Sequence, residues 1–352
     1  MRSIESGSQD YCPRSSMLID HHLRGTLDQM PRVARELENL GFNGLYTAEA
    51  AHEPFFPLAL AAEHTKQAEL FTSIAIGFAR NPMDLAQTAD TLQRFSAGRF
   101  ALGLGSQIRP HIENRYSMPW TAPVPRMQEM VAAIKAIQHA WQNAEPLAFR
   151  GEHYRHTLMT PFFDPGPNPH GPPPVWLAGL GPRMTRAAGE AADGLLVHPF
   201  HSERYFREHV VPAVAAGLDT SGRARADFSL SATPILCTGS TDEEVERAIA
   251  GVNVLLSFYG STPSYRVTLD AHGWGDLQSE LNRLTKEGRW DVIPSLITDE
   301  VRETIAVCGK PSEIGALVAA RYGNHVDRVG LSIPYDAPPE TLAAVVDGFR
   351  ST

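Results

Sequence analysis

The stretch Val175-Trp-Leu-Ala-Gly-Leu-Gly-Pro-Arg-Met184 runs from an apolar strand pattern through two glycines into a helix that starts with proline. A helical pattern over 183–192 and a second apolar run at 194–197 follow it. Short apolar runs that alternate with helical patterns indicate parallel strands connected by helices. Continuously apolar strands are typical of sheets that are covered on both faces. The stretch therefore predicts one strand-helix unit of an α/β protein.

The same alternation begins at Ser16 and extends along the chain of 352 residues. The expected strands are 17–19, 44–46, 70–76, 100–104, 175–178, 194–197, 228–236 and 326–331. Eight strand and helix pairs predict a closed (β/α)8 TIM barrel. The rival architecture, an open doubly wound sheet, calls for G-x-G-x-x-G after the first strand, and this motif is absent there. The sequence therefore favours the barrel.

Two of the predicted helices carry clear end signals. Gly41 stands where a left-handed C-terminal cap belongs, after a stripe of apolar residues that runs from Leu27 to Leu40. Asn81-Pro82 supplies an N-cap followed by proline at the first helical position. This second helix is expected to turn four apolar side chains inward, Leu85, Ala89, Leu92 and Phe95.

Three stretches interrupt the alternation, and we expect them to be insertions of one barrel domain that spans 15–352. They lie near 107–125, 145–174 and 257–310, and residues 1–14 precede the alternation as a flexible leader. The second stretch is rich in proline and is expected to contain no regular element. Loops that follow barrel strands build the active sites of such enzymes, so the insertions are expected at the C-terminal rim.

Composition excludes several classes of function. The 31 basic and 40 acidic residues give a net charge of −9, which disfavours a nucleic-acid partner. The three cysteines, Cys12, Cys237 and Cys308, are too far apart for a disulfide framework, which favours the reducing cytoplasm. No run of about 18 apolar residues occurs, so we expect no membrane partner. Histidine pairs such as His21-His22 lack acidic residues at ligand spacing, so no metal site is expected.

Several residues that follow the predicted strands suit binding or proton transfer. The turn at Gly179 and Gly181 exposes backbone N–H groups at the positive end of a helix, which suits phosphate, although an ordinary turn would look the same. Gly103-Leu-Gly105 is only half of a nucleotide motif. Histidine and carboxylate side chains exchange protons in many enzymes, and the candidates at the rim are Glu49, His52, Arg80, His198 and His201.

Five segments together resemble the luciferase-like monooxygenase superfamily, and within it the branch of coenzyme F420-dependent oxidoreductases. The resemblance covers nearly the whole chain, from Leu27 to Phe349. The segments are Glu49-Ala-Ala-His-Glu-Pro-Phe-Phe-Pro-Leu58, Thr72-Ser-Ile-Ala-Ile-Gly-Phe-Ala-Arg-Asn-Pro82, Ser96-Ala-Gly-Arg-Phe-Ala-Leu-Gly-Leu-Gly-Ser106, Ala178-Gly-Leu-Gly-Pro-Arg-Met184 and Glu190-Ala-Ala-Asp-Gly194.

The resemblance implies a flavin or deazaflavin across the C-terminal rim and hydride transfer at its ring. It implies a cis peptide bond between Ser73 and Ile74 behind the ring, with Arg80 nearby. The remaining cofactor-binding residues that it implies are Gly105, Ser106, Gly179, Gly181, Pro182, Arg183 and Met184. Characterised sugar-phosphate and alcohol dehydrogenases of this branch have an Asp-His pair after the second strand, where this chain reads Glu49-Ala-Ala-His52. The resemblance therefore does not extend to those substrates.

The cofactor expected from the resemblance is coenzyme F420, with FMN as the alternative. Many FMN-dependent members have Gly-x-Ser-x-x-Gly at the glycine turn, and the serine is missing here. Arginines on the rim are expected to receive the acidic tail of F420, namely Arg80, Arg109, Arg126 and Arg183.

The leading hypothesis is an F420-dependent oxidoreductase acting on a small organic substrate, with His52 or Glu49 handling the proton. The alternatives are a two-component FMN-dependent monooxygenase and a non-catalytic flavin-binding barrel. The resemblance also implies a homodimer and allows a flavin or F420 reductase as partner.

Overall fold

The strands of the barrel form from the apolar runs of the sequence. The computed structural model describes residues 17–351, so the predicted leader 1–14 lies outside the described residues. Nine strands form the main sheet: β1 Leu18–His22, β2 Gly44–Thr47, β3 Glu69–Thr72, β4 Ala75–Ile76, β5 Phe100–Gly105, β8 Val175–Gly179, β9 Gly194–Val197, β10 Ser229–Ala232 and β13 Arg328–Leu331. The remaining strands pair outside this sheet: β6 Phe149–Arg150, β7 Arg155–His156, β11 Leu236–Cys237 and β12 Val307–Cys308.

All neighbours in the main sheet are parallel, and the sheet closes on itself. The order is β3-β2-β1-β13-β10-β9-β8-β5-β4, and β3 also pairs with β5. Strand β4 follows β3 directly, and both pair with β5. If β3 and β4 are counted as one interrupted strand, the barrel has eight strands. This is the α/β barrel that the alternating pattern predicts.

The helices cover the outside of the barrel, as the sequence predicts. In chain order they are α1 Met30–Leu40, α2 Phe55–His64, α3 Pro82–Phe95, α4 Arg109–Asn114, α5 Pro123–Asn143, α6 Pro182–Ala191, α7 Glu203–Tyr205, α8 Val211–Ser221, α9 Asp242–Ser261, α10 Arg266–Asp270, α11 Gly275–Lys286, α12 Asp299–Ile305, α13 Ile314–Tyr322 and α14 Pro339–Arg350. Five residues of π-helix, Phe206–Val210, join α7 to α8. None of the helices within residues 17–351 is long and apolar enough to cross a membrane.

Both predicted helix ends are confirmed, but one predicted core residue is wrong. Gly41 caps α1 with φ 102°, in the left-handed region, and the Asn81 side chain accepts hydrogen bonds from the N–H groups of Met83 and Asp84 at the start of α3. Phe95 is 54% exposed. It lies about 80° around the helix from Leu85, because ten residues at 3.6 per turn do not return to the same face.

Two predicted strands are interrupted in the structure. The third is split into β3 and β4 at a cis peptide bond between Ser73 and Ile74, the bond that the resemblance implies. The seventh ends at Ala232, because Pro234 has no N–H to continue the ladder. Beyond it, Ile235 makes one isolated parallel bridge to Ser332, the residue after β13, and Leu236 and Cys237 form β11, which pairs with β12.

The three interruptions contain regular structure at the rim. The stretch 107–125 holds α4, and 145–174, expected to lack regular elements, contains the antiparallel pair β6 and β7. Helix α9 extends to Ser261, so the first residues of the predicted insertion 257–310 belong to this helix. The rest of the insertion forms α10 to α12, which pack on α9 around a second apolar core that includes Val252, Leu281 and Ile305.

Candidate active site

The predicted site residues follow consecutive strands around one rim. Glu49 follows β2, and Ser73 and Ile74 join β3 to β4. His52 follows Glu49 on the same turn, Arg80 follows β4, and the remaining predicted cofactor residues lie at the ends of β5 and β8, which pair with each other in parallel. Because the carboxyl ends of parallel strands meet at one edge, these residues form a continuous arc on the C-terminal rim. The structure therefore brings together the two glycine turns and the segment that begins at Glu49.

Residues 179–184, which we call the cradle, form the turn from β8 into α6. Gly181 is the N-cap of the helix and Pro182 its first residue. The N–H groups of Arg183 and Met184 lie in the first turn, where no acceptor exists within the helix. The Thr185 N–H already donates to the Gly181 carbonyl at 3.1 Å. The free N–H groups and the positive helix end make the cradle suitable for an anion.

The two glycines of the cradle serve different purposes. A Cβ on Gly179 would lie 3.3 Å from both the amide nitrogen and the Oγ1 of Thr185, so this position packs the strand tightly against the helix start. A Cβ on Gly181 would have no neighbour within 4 Å. Its backbone, with φ −66° and ψ 148°, is open to any residue. Gly181 therefore leaves open space in front of the helix, which a phosphate group fits.

Of the four arginines expected to receive an acidic tail, three are engaged within the protein. Arg80 pairs with Glu49, and Arg109 pairs with Glu113 at 2.9 Å. Arg126 is buried, with its guanidinium 4.3 Å from the centre of the Phe78 ring. Arg183 is exposed, and within residues 17–351 it has no hydrogen bond or ion pair. Arg183 is therefore the member of this set that is available to an anionic ligand.

Glu49, Arg80 and Tyr116, which we call the Glu49 cluster, connect three segments of the rim. One carboxylate oxygen of Glu49 accepts hydrogen bonds from Arg80 Nη1 at 2.6 Å and from the Ile76 N–H at 2.7 Å. The other accepts from the Tyr116 hydroxyl at 3.1 Å. The Glu49 side chain is only 6% exposed. The cluster fixes β4 and the loop after α4 around one carboxylate.

The main chain of Glu49 also reaches the cis peptide bond. Its N–H donates to the Ile74 carbonyl at 3.0 Å. Across the adjacent strand pair, a Cβ on Gly105 would lie 2.9 Å from Cγ1 of Ile74, so glycine allows β5 to approach this side chain closely. The Ser106 hydroxyl donates to the Gln107 carbonyl at 3.1 Å. Ile74 therefore lies beside both Glu49 and Gly105, so the structure brings these three predicted site residues together.

His52, the other predicted proton-handling residue, is exposed beside the cluster. Within the described residues its ring makes no hydrogen bond, so it is free to meet a ligand. Glu53 on the same turn holds the start of α2, where its carboxylate accepts from the N–H groups of Phe55 and Phe56. The turn is further tied to the α4 loop by a hydrogen bond from Arg115 to the Ala50 carbonyl. His52 therefore projects from a well-supported turn.

A second group of side chains, the histidine cluster, is formed by His22, Tyr46, His198, Tyr259 and Tyr265. The His198 ring lies 4.1 Å from the Tyr265 ring and 4.7 Å from the Tyr259 ring, centre to centre. The His22 ring stacks on Tyr46 at 5.2 Å. Burial lowers the pKa of both histidines to about 3, because the charged imidazolium loses its hydration. Both rings are therefore neutral near pH 7.

Hydrogen bonds fix which nitrogen of each ring carries the proton. The Phe200 N–H donates to Nδ1 of His198 at 3.2 Å, and Arg24 Nε donates to Nδ1 of His22 at 3.0 Å. A neutral ring that accepts at Nδ1 carries its proton on Nε2. Neither Nε2–H has a partner within the described residues. The cluster thus presents two neutral donors at the ends of β1 and β9.

Of this cluster, the sequence analysis predicts only His198 as a site residue. It treats His21-His22 only as a possible metal pair, and Tyr259 and Tyr265 lie far along the chain, in α9 and the insertion. Alternation along β1 was the available signal, because Asp20 and His22 point to the same face. His201, in contrast, is 1% exposed and bonds to the Tyr322 hydroxyl at 2.9 Å, so it is engaged in the core.

The chain belongs to the luciferase-like monooxygenase family. The sequence model of that family matches residues 14–328, most of the chain. An uncharacterized protein of Mycobacterium tuberculosis is 47% identical over 332 residues, which cover 94% of this chain and 97% of that protein. The 5,10-methylenetetrahydromethanopterin reductase of Archaeoglobus fulgidus is 24% identical over 264 residues, 73% of this chain and 74% of the relative.

Solved structures of the same fold include a coenzyme F420-dependent reductase and a monooxygenase. The coenzyme F420-dependent tetrahydromethanopterin reductase of Methanopyrus kandleri has a TM-score of 0.78 at 18% identity, covering 95% of this chain and 98% of that one. The EDTA monooxygenase of a Chelativorans species has a TM-score of 0.71 at 15% identity, covering 96% and 94%. At these identities the likeness shows the fold alone.

Proposed function

We propose that this protein is a coenzyme F420-dependent oxidoreductase that exchanges a hydride with a small organic substrate. The observation that carries the proposal is the cradle, where open space at Gly181 faces the unpaired N–H groups of a helix start. The F420-dependent glucose-6-phosphate dehydrogenase of Intrasporangium calvum, a relative that is 28% identical over 237 residues, supports the choice of cofactor. A catalytically silent flavin-binding barrel would share the cradle but show no turnover.

The residues present fit such a cofactor. The backbone N–H groups of Arg183 and Met184 would hold its phosphate, and the free guanidinium of Arg183 would meet the acidic tail. Ile74, Gly105 and Ser106 would border its ring at the neighbouring strand ends, with Ser73 behind. When bound, the deazaflavin ring supplies the site that accepts or releases a hydride.

Glu49 and His52 are the residues that we propose to handle the proton. The Tyr116 hydroxyl donates to Glu49, which gives this carboxylate a hydrogen-bonded path towards the α4 loop. His52 is exposed on the adjoining turn and can exchange protons with water. His22 and His198, as neutral donors, would hold a substrate oxygen through Nε2–H, because neutral imidazole can polarise a carbonyl group.

A two-component FMN-dependent monooxygenase is the second candidate. The observation that favours it is the match to the luciferase-like monooxygenase family, together with the fold shared with the EDTA monooxygenase. Such an enzyme would need a partner that supplies reduced flavin. An F420 reductase partner is the corresponding proposal for the first candidate.

The decisive experiment is a fluorescence titration of purified apoprotein with F420 and, separately, with FMN. Binding of F420 with an affinity at least tenfold above that of FMN is expected. Binding of FMN alone, with oxygen uptake when reduced FMN is supplied, would instead support the monooxygenase.

Native mass spectrometry of the same protein measures the mass of any retained cofactor and the number of chains. We propose a homodimer, so two chains are expected with one cofactor each. A monomer that retains F420 would contradict the proposed homodimer but would be consistent with the proposed activity.

A further inference from the structure

Cys237 and Cys308 are neighbours on the two-stranded sheet that lies outside the barrel. They are register partners in the parallel pair of β11 and β12. The pairing is held by hydrogen bonds from the Val307 N–H to the Ile235 carbonyl at 2.8 Å and from the Gly309 N–H to the Cys237 carbonyl at 3.3 Å. Adjacent strands are about 4.8 Å apart, within the Cα separation of about 4.4–6.8 Å that a disulfide needs. Register partners also point to the same face of a sheet, so the two sulfurs face each other.

The two thiols are on neighbouring strands and differ in exposure. Cys237 is 7% exposed, whereas Cys308 is half-buried and reaches the surface. The interaction between the neighbouring sulfurs lowers the pKa of Cys308 and raises that of Cys237. The Arg302 guanidinium also lowers the pKa of Cys308. Cys308 is therefore the better nucleophile of the pair, because the thiolate is the reactive form.

A surface cavity of about 350 Å³ gives access to both sulfurs. Its charged lining consists of two basic and two acidic side chains, Arg302, Lys310, Glu303 and Glu313. The charges balance, so the cavity does not repel a small organic disulfide of either sign. The cavity is lined by β11, β12 and residues of α9 and α12. Its lining shares no residue with the cradle, the Glu49 cluster or the histidine cluster.

We propose that Cys237 and Cys308 form a reversible disulfide by exchange with a small-molecule disulfide. The Cys308 thiolate attacks one sulfur of the oxidant, which forms a mixed disulfide and releases the first thiolate. Cys237 then loses its proton and attacks the Cys308 sulfur, which closes the Cys237–Cys308 bond and releases the second thiolate. Two protein thiols are oxidised and one external disulfide is reduced to two thiols, so the electrons balance.

The location gives the bond a structural consequence. Strand β11 leads into α9, and β12 follows α12, so the bond would close a loop over residues 237–308. That loop carries Tyr259 and Tyr265, which pack on His198. The disulfide would therefore tie down both ends of the segment that supplies the two tyrosines. The proposal stands on this sheet alone and does not depend on the cofactor.

The test uses the full chain in buffers with graded ratios of oxidised to reduced glutathione. Free thiols are then alkylated, and tryptic peptides are analysed by mass spectrometry. The expected result is a cross-link between peptides 226–247 and 303–321, with the loss of two hydrogens in mass, which increases with the ratio and disappears on addition of dithiothreitol.

Variants assign the order of attack without depending on activity. Cys237→Ser is expected to accumulate glutathione at residue 308, because the second step is blocked, and Cys308→Ser is expected to take up none at residue 237. Cys12→Ser is expected to keep the cross-link of the wild-type protein. Alkylation of both thiols at every ratio, or glutathione on Cys308 of the wild-type protein with no cross-link, would overturn the proposal.

Discussion

The cradle and the histidine cluster lie on the same rim but are built differently. The cradle consists of six consecutive residues, and its binding groups are backbone N–H groups that the start of α6 leaves unpaired. The histidine cluster collects side chains from β1, β2, the end of β9, α9 and the insertion. A site made from a local turn depends on small residues in sequence, whereas a site made from distant side chains depends on packing. The two regions should therefore respond differently to substitution and to pH.

The Glu49 cluster is the clearest case of long-range dependence. Glu49→Gln would leave Arg80, only 16% exposed, with just the more distant Glu53 carboxylate at 3.8 Å, which we expect to lower the free energy of unfolding by about 3 kcal/mol. Urea denaturation measures the loss. The exposed pair Arg109 and Glu113 is the control, and Glu113→Gln should leave the free energy of unfolding nearly unchanged. Equal effects of the two variants would mean that the Glu49 cluster does not hold the rim.

Within the cradle, bulk at one position should affect binding and spare the fold. Gly181→Leu would fill the space in front of α6 and block the N–H groups, which we expect to weaken F420 binding by about a hundredfold, or ~3 kcal/mol. The melting temperature should stay at the wild-type value, because an added side chain meets no neighbour there. The F420 affinity of Gly181→Ala should lie between those of the wild-type protein and Gly181→Leu. An unchanged affinity of Gly181→Leu, measured by fluorescence titration, would remove the cradle as the phosphate site.

The histidine cluster should make the protein sensitive to acid. The folded-state pKa of His198 is about 3, below its ordinary value near 6.5, so the unfolded chain binds a proton that the folded chain does not. This contribution to stability is fully present above about pH 6.5 and is lost as the pH falls towards 3. Between pH 5.5 and 4, His198→Asn should reduce the pH slope of unfolding free energy by about 1.4 kcal/mol per pH unit.

A ring-preserving variant is the control for this slope. Tyr265→Phe keeps the aromatic surface against His198 and should retain the wild-type slope, as measured by urea denaturation at each pH. If His198→Asn also retains it, the burial of this ring does not govern the acid sensitivity.

The smallest effect concerns the exposed charge of the cradle. Arg183→Met should weaken F420 binding about threefold at low ionic strength, and the difference should vanish at high salt, because an exposed charge acts weakly and is screened. Arg186→Met, one turn further along α6, is the matched control, since Arg186 is already paired with Glu190 at 2.8 Å. If Arg183→Met loses F420 affinity equally at low and high salt, or if Arg186→Met loses as much affinity, a direct contact of Arg183 with the acidic tail is contradicted.

The amino-acid sequence alone determined the barrel, the family and the local turns. Apolar runs of strand length, Gly41 and Asn81-Pro82 act within a few residues, so their outcome can be predicted without the rest of the chain. The same is true of the cradle, whose glycines and proline are consecutive. Where the prediction failed, as at Phe95, the helical period had drifted over ten residues.

Only the tertiary structure decided which side chains meet. Glu49 and Tyr116 are 67 residues apart, and the His198 ring packs on Tyr259, which lies on a later helix, α9. The pairing of Cys237 with Cys308 likewise required the insertion to return beside β11, 71 residues later in the chain. Such contacts depend on the closure of the sheet and on how an insertion packs. No local pattern encodes these relations, because they arise between segments that are neighbours only after folding.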